Sequence, residues 1–220
     1  MNKKGLLITF EGIDGAGKTT QLNLLYEELV SKHIDVVKIR EPGSTDIGER
    51  IRGLLADRDM KILPYTELLL FFASRVQLIE QVINPAIEKG KIILCDRFHD
   101  ATVAYQSYGR GLSLDVIKSL EKMFILPLKP DKTFLLDCSY NVARKRLSKR
   151  DNKTRIEIMN RVFFEKVRTG YLTLAKQETD RIVVIDANNN IERIKEQIRD
   201  NFYRWINTTR YRFSHKKGYN

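Results

Sequence analysis

The 220-residue chain is poor in the residues that staple small folds or bind metals: two cysteines, three histidines and a single tryptophan. Cys95 and Cys138 each end an apolar run, which fits reduced, buried thiols better than a disulfide framework. No cysteine pair has zinc spacing, and His33, His99 and His215 are too scattered to suggest a metal site, so each is expected to be incidental. No apolar run approaches the roughly 18 residues that a membrane span requires. The opening "MNKKGLLITFEG" has positive charge and apolar residues but no small-residue cleavage site, and it runs into Glu11 and a glycine loop. It is expected to be a first strand, not an export signal, which places the protein in the cytoplasm. No Pro/Gly-rich linker, repeat or low-complexity block divides the chain, so a single domain is expected over residues 1–208.

Acidic residues are also in deficit: 28 against 39 lysines and arginines, a formal charge of +11. Such a balance suits nucleic acid or polyanionic small molecules. Its distribution is informative. Arg144, Lys145, Arg146, Lys149, Arg150, Lys153 and Arg155 crowd one stretch with Asp151 alone among acids, as if placed for chemistry. Arg204, Arg210, Arg212, Lys216 and Lys217 form a second group, the last four in a basic tail over 209–220.

What is present is an alternation. "GLLITFE", "DVVKI", "KIILC", "KTFLLDC" and "RIVVID" are short continuous apolar runs, the pattern of parallel strands covered on both faces. Helical periodicity fills the intervals at about 18–31, 46–55, 64–88, 115–124, 141–148 and 157–178, with a last helix at about 191–206. The expected fold is α/β, a doubly wound five-stranded parallel sheet with helices on both faces. Ligands of such sheets bind beyond the carboxyl ends of the strands, where the glycine loop, "REPGST" and "DRF" fall.

The loop carries the first chemistry. Gly12-x-x-x-x-Gly17-Lys18-Thr19, between a strand and a helix, satisfies the phosphate-loop pattern. Its backbone N–H groups, from Gly12 through Ile13, Asp14, Gly15, Ala16 and Gly17 to Lys18, Thr19 and Thr20, would surround phosphate oxygens. Lys18 would neutralise the β- and γ-phosphates, and Thr19 would help hold magnesium. This implies a nucleoside triphosphate without naming the acceptor. No Asn-Lys-x-Asp guanine signature is present. A strand-end Asp96-Arg97 replaces the Asp-Glu pair that a water-activating motor would need. Asp96 would orient the metal's water shell and Arg97 would grip a second phosphate; standing alone, the pair is equally an ordinary surface ion pair.

Three further segments, "REPGST" (40–45), "LLFFASRVQ" (69–77) and "DRFHDATVAYQSYGRG" (96–111), join "EGIDGAGKTT" in order and at matching separations. Together they resemble bacterial thymidylate kinase over nearly the whole chain. The resemblance implies transfer of the ATP γ-phosphate to dTMP, with magnesium, in a homodimer packed through the helix at 64–88. It implies that Phe71 stacks on the thymine and that Arg75, one turn along the same face, bonds a base carbonyl. Core packing is the competing role for a phenylalanine here, and Phe72 beside it is expected to take that role. By the same resemblance Thr102, Tyr105 and Gln106 lie at the base edge and sugar, Tyr105 disfavouring a 2′-hydroxyl. Arg97 binds the monophosphate, and Glu41-Pro42 closes over the nucleotide. Arg40 joins them, although a solvated strand-end charge explains it as well.

Some relatives carry a catalytic arginine inside the phosphate loop; here Gly15-Ala16 stands there. The cation is then expected from the basic stretch, which matches the family's mobile lid at about 144–156: Arg150 first, with Arg146 and Arg155 supporting it. Asp14 is expected to position magnesium and acceptor and not to act as a strong base, since a monophosphate oxygen is largely ionised near neutral pH. Ser44, Ala101, Ser107 and the run Phe98-His99-Asp100 depart from the usual family pattern. Two other readings compete: a broader deoxynucleoside monophosphate kinase that also takes dUMP, and an ATP-regulated nucleic acid-binding protein. A mononucleotide reader at Phe71 and Arg75 argues against the latter.

Overall fold

A computed structural model describes residues 5–148 and 154–209. Five strands, β1 (Leu6–Glu11), β2 (Val36–Arg40), β3 (Ile92–Asp96), β4 (Lys132–Asp137) and β5 (Ile182–Asp186), form one parallel sheet in the order β2-β3-β1-β4-β5. The expected doubly wound sheet is therefore present. Its strands alternate faces with a period of two. Leu6, Ile8 and Phe10 of β1, with Ile92 and Leu94 of β3, join a core layer containing Leu25, Leu29, Phe164 and Phe202. Leu7, Ile93 and Cys95 enter a second layer with Leu68, Phe72, Leu78 and Ile83. Both cysteines are free and buried.

Helix α1 (Lys18–Ser31) follows the phosphate loop, and α2 (Asp46–Ala56) begins at Thr45, whose hydroxyl accepts from the Gly48 N–H. The long helix expected over 64–88 is interrupted: α3 (Pro64–Leu78) passes through a π-helical stretch (Ile79–Ile83) into α4 (Asn84–Glu88). After β3 a single turn, α5 (His99–Thr102), leads into a second π-helical stretch (Val103–Gly109) that the sequence pattern did not disclose. Such widened turns concentrate at functional sites, and this one carries Tyr105 and Gln106. Helices α6 (Leu114–Phe124), α7 (Tyr140–Leu147), α8 (Arg161–Gln177) and α9 (Ile191–Thr208) complete the layers. Helix α8 begins four residues later than expected, because Asn160 caps it by accepting from the Phe163 N–H at 3.0 Å. It packs so closely on the π-helical stretch that a Cβ at Gly170 would lie 2.8 Å from the Tyr108 ring.

Strand register assembles the site. Asp96 lies opposite Phe10 on one side and Arg40 on the other, while Glu11 pairs with Leu135. The carboxyl ends of β1, β2 and β3 thus deliver Glu11, Arg40 and Asp96-Arg97 to one edge, at the point where the winding of the sheet reverses.

Candidate active site

A cavity of about 590 Å³ opens at that edge, within the range of small-molecule sites. The phosphate loop forms one end of it. Gly12 (φ 137°) and Gly17 (φ 98°) occupy backbone conformations that L side chains avoid, and a Cβ at Gly12 would collide with the Leu136 carbonyl. Lys18 folds back to donate to the Ile13 carbonyl at 3.0 Å. Its ammonium is pushed down to about 8, by burial first and then by the Arg97 charge, against the pull of Asp14, Asp96 and Glu11. The Thr19 hydroxyl donates to the Asp96 carboxylate. Thr20 also lines the cavity, and the Ala16 carbonyl accepts from Arg146, whose other nitrogen donates to Asn189 O at 3.0 Å. Arg146 thereby ties the loop to the turn after β5.

Arg97 stands at the centre. Its NH1 donates to Gly12 O and the Tyr171 hydroxyl, both at 3.0 Å. Its NH2 donates to Asp14 Oδ1 at 2.7 Å and to the Tyr105 hydroxyl at 3.1 Å. The Tyr105 hydroxyl donates in turn to Asp14 Oδ2 at 2.8 Å. Burial works against the Asp14 charge, but Arg97 and Lys18 outweigh it and hold this carboxyl below its ordinary range. Arg97 holds this position at φ 72°, a left-handed backbone value uncommon for any residue but glycine.

The other end is built around Arg75, which is 1% exposed. Its Nε donates to Glu41 Oε1 at 2.6 Å. NH2 donates to Thr102 Oγ1 at 2.7 Å and to Phe98 O at 3.4 Å, and NH1 meets His99 Nδ1 at 3.4 Å. A guanidinium has five N–H donors, so among the described residues one NH1 hydrogen has no partner and is left for a ligand. Burial pushes the Glu41 carboxyl up, against the opposing Arg75 charge. Phe72 is in the core, as expected, while half-buried Phe71 lines the cavity. Gln106 lines it too and donates through Nε2 to Glu67 Oε1 at 2.8 Å.

Arg40 and Pro42, on either side of Glu41 in sequence, line the cavity as well. Arg40 is exposed and paired with Glu49 at 2.8 Å. Ser44, the residue in place of a family glycine, has φ 63°; its hydroxyl accepts from Arg40 N at 2.9 Å and its own N–H donates to Glu49 Oε1 at 2.7 Å. These bonds offset the strain a glycine would not have.

Two expectations are redrawn. Arg155 is not directed at the phosphate loop in this structure: its NH2 donates at 2.5 Å to buried Glu67, which Arg110 and Gln106 also engage. Its neighbours Thr154 and Ile156 line the cavity. Charge alone cannot tell a phosphate ligand from a partner for a buried carboxylate. His99, expected to be incidental, contacts Arg75. Arg150 falls outside the described residues, with residues 149–153 of the expected lid and all but Thr209 of the tail expected over 209–220.

Sequence reasoning passed over Arg52, Tyr171 and Glu11. Arg52 lines the cavity from α2 and donates to Pro42 O at 3.1 Å; its one signal was a charge next to the buried Ile51. Tyr171 sits in the apolar stripe of α8, where its hydroxyl was the only hint of a polar task. Glu11 ends β1 fully buried, accepting from Phe98 N at 2.6 Å and from the Tyr171 hydroxyl at 2.8 Å.

Residues 10–198 match the thymidylate kinase family model. Thymidylate kinase of Kosmotoga olearia is 46% identical over 193 residues, 88% of this chain and 93% of the relative. That of Exiguobacterium sp. is 47% identical over 197 residues, 89% and 93% of the two chains. The crystal structure of thymidylate kinase from Ehrlichia chaffeensis superposes with a TM-score of 0.75 at 34% identity, covering 91% of this chain and 99% of that one. Phosphate loop, Asp-Arg strand end and Phe/Arg helix thus converge with the comparisons, and the chain belongs to the thymidylate kinase family.

Proposed function

We propose that this chain transfers the γ-phosphate of ATP to dTMP, giving dTDP and ADP, and that the two ends of the cavity hold the two nucleotides. The observation carrying this reading is the position of Arg97. Its NH1 donates to Gly12 O of the phosphate loop and its NH2 to Asp14 of that loop and to Tyr105 of the neighbouring wall, which suits a cation between acceptor and donor phosphates.

The thymine lies on Phe71, and the remaining NH1 hydrogen of Arg75 meets a base carbonyl. Thr102 and Gln106 face the base edge, and the Tyr105 ring covers the sugar. Arg97 holds the monophosphate with Arg52 beside it, and Arg40, Glu41 and Pro42 close the entrance. On the donor side the backbone from Gly12 to Thr20 surrounds the polyphosphate, and Arg146 flanks it. Burial lowers the Lys18 ammonium to about 8 without discharging it near neutral pH, and phosphate oxygens beside it favour the charged form further.

Thr19 and Asp96 offer two oxygen ligands side by side. Among the described residues no group of three or more His, Cys, Asp or Glu side chains is placed to hold a metal. An alcohol and a carboxylate oxygen fit magnesium, a hard cation that keeps waters and substrate oxygens in its shell. Thr19 and Asp96 would hold it, and it would supply positive charge against the phosphates.

Little covalent work falls to the protein. The acceptor oxygen is already ionised, so Asp14 aligns Arg97 instead of removing a proton. Lys18, Arg97 and the lid arginine Arg150 supply cations against the transferring group, and closure of the lid excludes water. ADP formation measured with dTMP, dUMP, dCMP, dGMP and AMP tests the reading. dTMP is the expected preferred acceptor; preference for another removes the substrate assignment. ATP turnover stimulated by DNA or RNA without monophosphate phosphorylation removes the kinase reading.

The assembly we propose is a homodimer. Tyr65 and Leu69 of α3 and Met123 and Phe124 of the adjacent α6 are at least half exposed, an apolar face that a second copy would cover. Sedimentation analysis is expected to give twice the chain mass. No helix among the described residues is long and apolar enough to cross a membrane, and a cytoplasmic site is proposed, checked by fractionation.

A further inference from the structure

His99 opens α5 with both ring nitrogens engaged. Nδ1 lies 3.4 Å from NH1 of Arg75 in α3, and Nε2 lies 3.1 Å from Oε2 of Glu121 in α6. A guanidinium can only donate, so the nitrogen facing it is the acceptor and the ring proton resides on Nε2. There Glu121 accepts it, and this contact favours the charged form of a carboxyl that burial alone would push up; the net effect holds it below its ordinary range. Phe72 meets the imidazole edge-on, with ring centroids 6.3 Å apart. Two helices therefore fix one ring, its orientation and its tautomer.

The consequence falls on Arg75. Its Nε and NH2 are committed to Glu41, Thr102 and Phe98, and among the described residues His99 is the partner of NH1. NH1 also carries the remaining hydrogen. Because the guanidinium is planar, Glu41 and Thr102 hold its plane from Nε and NH2, and His99 holds it at the third nitrogen, the one whose other hydrogen is left for a ligand.

We propose that His99 is a positioning residue for the acceptor base: it aims the free N–H of Arg75, and Glu121 holds it in the tautomer that can do so. This rests on Arg75 as the reader of the base.

Four variants test it through dTMP KM, kcat and melting temperature. His99→Phe keeps the ring volume and removes both polar contacts; the expected result is a rise in dTMP KM of about tenfold, the loss of one bond to a charged group, with kcat within about twofold. His99→Asn places an amide oxygen near the position of Nδ1 and is expected to restore KM to within about threefold of the parent. Glu121→Ala frees the ring and is expected to raise KM by about threefold. Arg75→Ala must raise KM at least as much as His99→Phe. A His99→Phe enzyme with unchanged dTMP KM beside a defective Arg75→Ala overturns the proposal, as does an Asn variant no better than Phe. Unchanged KM in Arg75→Ala instead overturns the base-reader assignment beneath it. Should His99→Phe fail to fold, the Asn and Glu121→Ala variants decide the matter.

Discussion

Arg97 and Asp14 are 83 residues apart in sequence, yet the guanidinium donates to the carboxylate at 2.7 Å. One residue ends β3 and the other lies in the phosphate loop after β1, and the pairing of those strands at Phe10 and Asp96 brings them together. A cation is thereby fixed between the two proposed nucleotide sites. Its geometry is a fork, with two nitrogens serving four acceptors, which an ammonium cannot reproduce.

Arg97→Lys is therefore expected to raise dTMP KM by at least about tenfold despite the conserved charge, with ATP KM changed less than about threefold. Asp14→Asn retains an acceptor for Arg97 and is expected to lower kcat by no more than about tenfold. Removal of a general base would cost about 10² to 10⁴. Steady-state kinetics of both variants separate the roles; a collapse of kcat in Asp14→Asn makes Asp14 a base.

Tyr105 divides into a ring and a hydroxyl with different tasks. The hydroxyl serves Asp14 and Arg97, while the ring lies beneath the Arg97 guanidinium at 4.8 Å and faces the proposed sugar position. Tyr105→Phe is expected to cost about 1–3 kcal/mol of stability through polar groups left unpaired, and to keep the preference for dUMP over UMP. Tyr105→Ala is expected to lose that preference. If Phe and Ala discriminate alike, the ring is not what excludes the 2′-hydroxyl.

Much of this was legible in the sequence, for local reasons. A parallel strand buried on both faces leaves a continuous apolar run, and a phosphate loop needs its glycines at fixed positions, so both are written in adjacent residues. Ser44 was visible as an oddity, and its φ of 63° explains why glycine is comfortable there. What escaped depends on partners far along the chain. Glu67 gathers Gln106, Arg110 and Arg155 from up to 88 residues away, and nothing near Arg155 in sequence reveals that engagement. The widened turns of Val103–Gly109 leave no periodic mark, although they aim Tyr105 and Gln106.

Arg75 and Arg150 are expected to fail differently. Arg75 is locked by four contacts at the base end, so Arg75→Ala is expected to raise dTMP KM by more than about tenfold with a smaller effect on kcat. Arg150, assigned from the lid sequence to the transferring phosphate, is expected on removal to lower kcat by about 10³ with little change in dTMP KM. Single-turnover and steady-state rates with both variants provide the check. Matching profiles would erase the distinction between base reader and transition-state cation.

Glu11 gives the pH prediction. Burial first, and then Asp100, push its carboxyl up to about 8 from an ordinary 4.5, against the pull of Arg97 and of the Tyr171 and Phe98 donors. The folded protein therefore keeps this proton to higher pH than the unfolded chain does. Between about 4.5 and 8 the folded state binds more protons, so stability falls as pH rises. The contribution is fully present below the unfolded value and is lost through about 8. Glu11→Gln retains polar atoms for Phe98 and Tyr171 but cannot titrate. Melting temperatures from about pH 5 to 9 should decline more steeply for the parent than for the variant. Parallel profiles would mean that Glu11 is ionised in the folded protein throughout, its charge sustained by Arg97 instead of relieved by a proton.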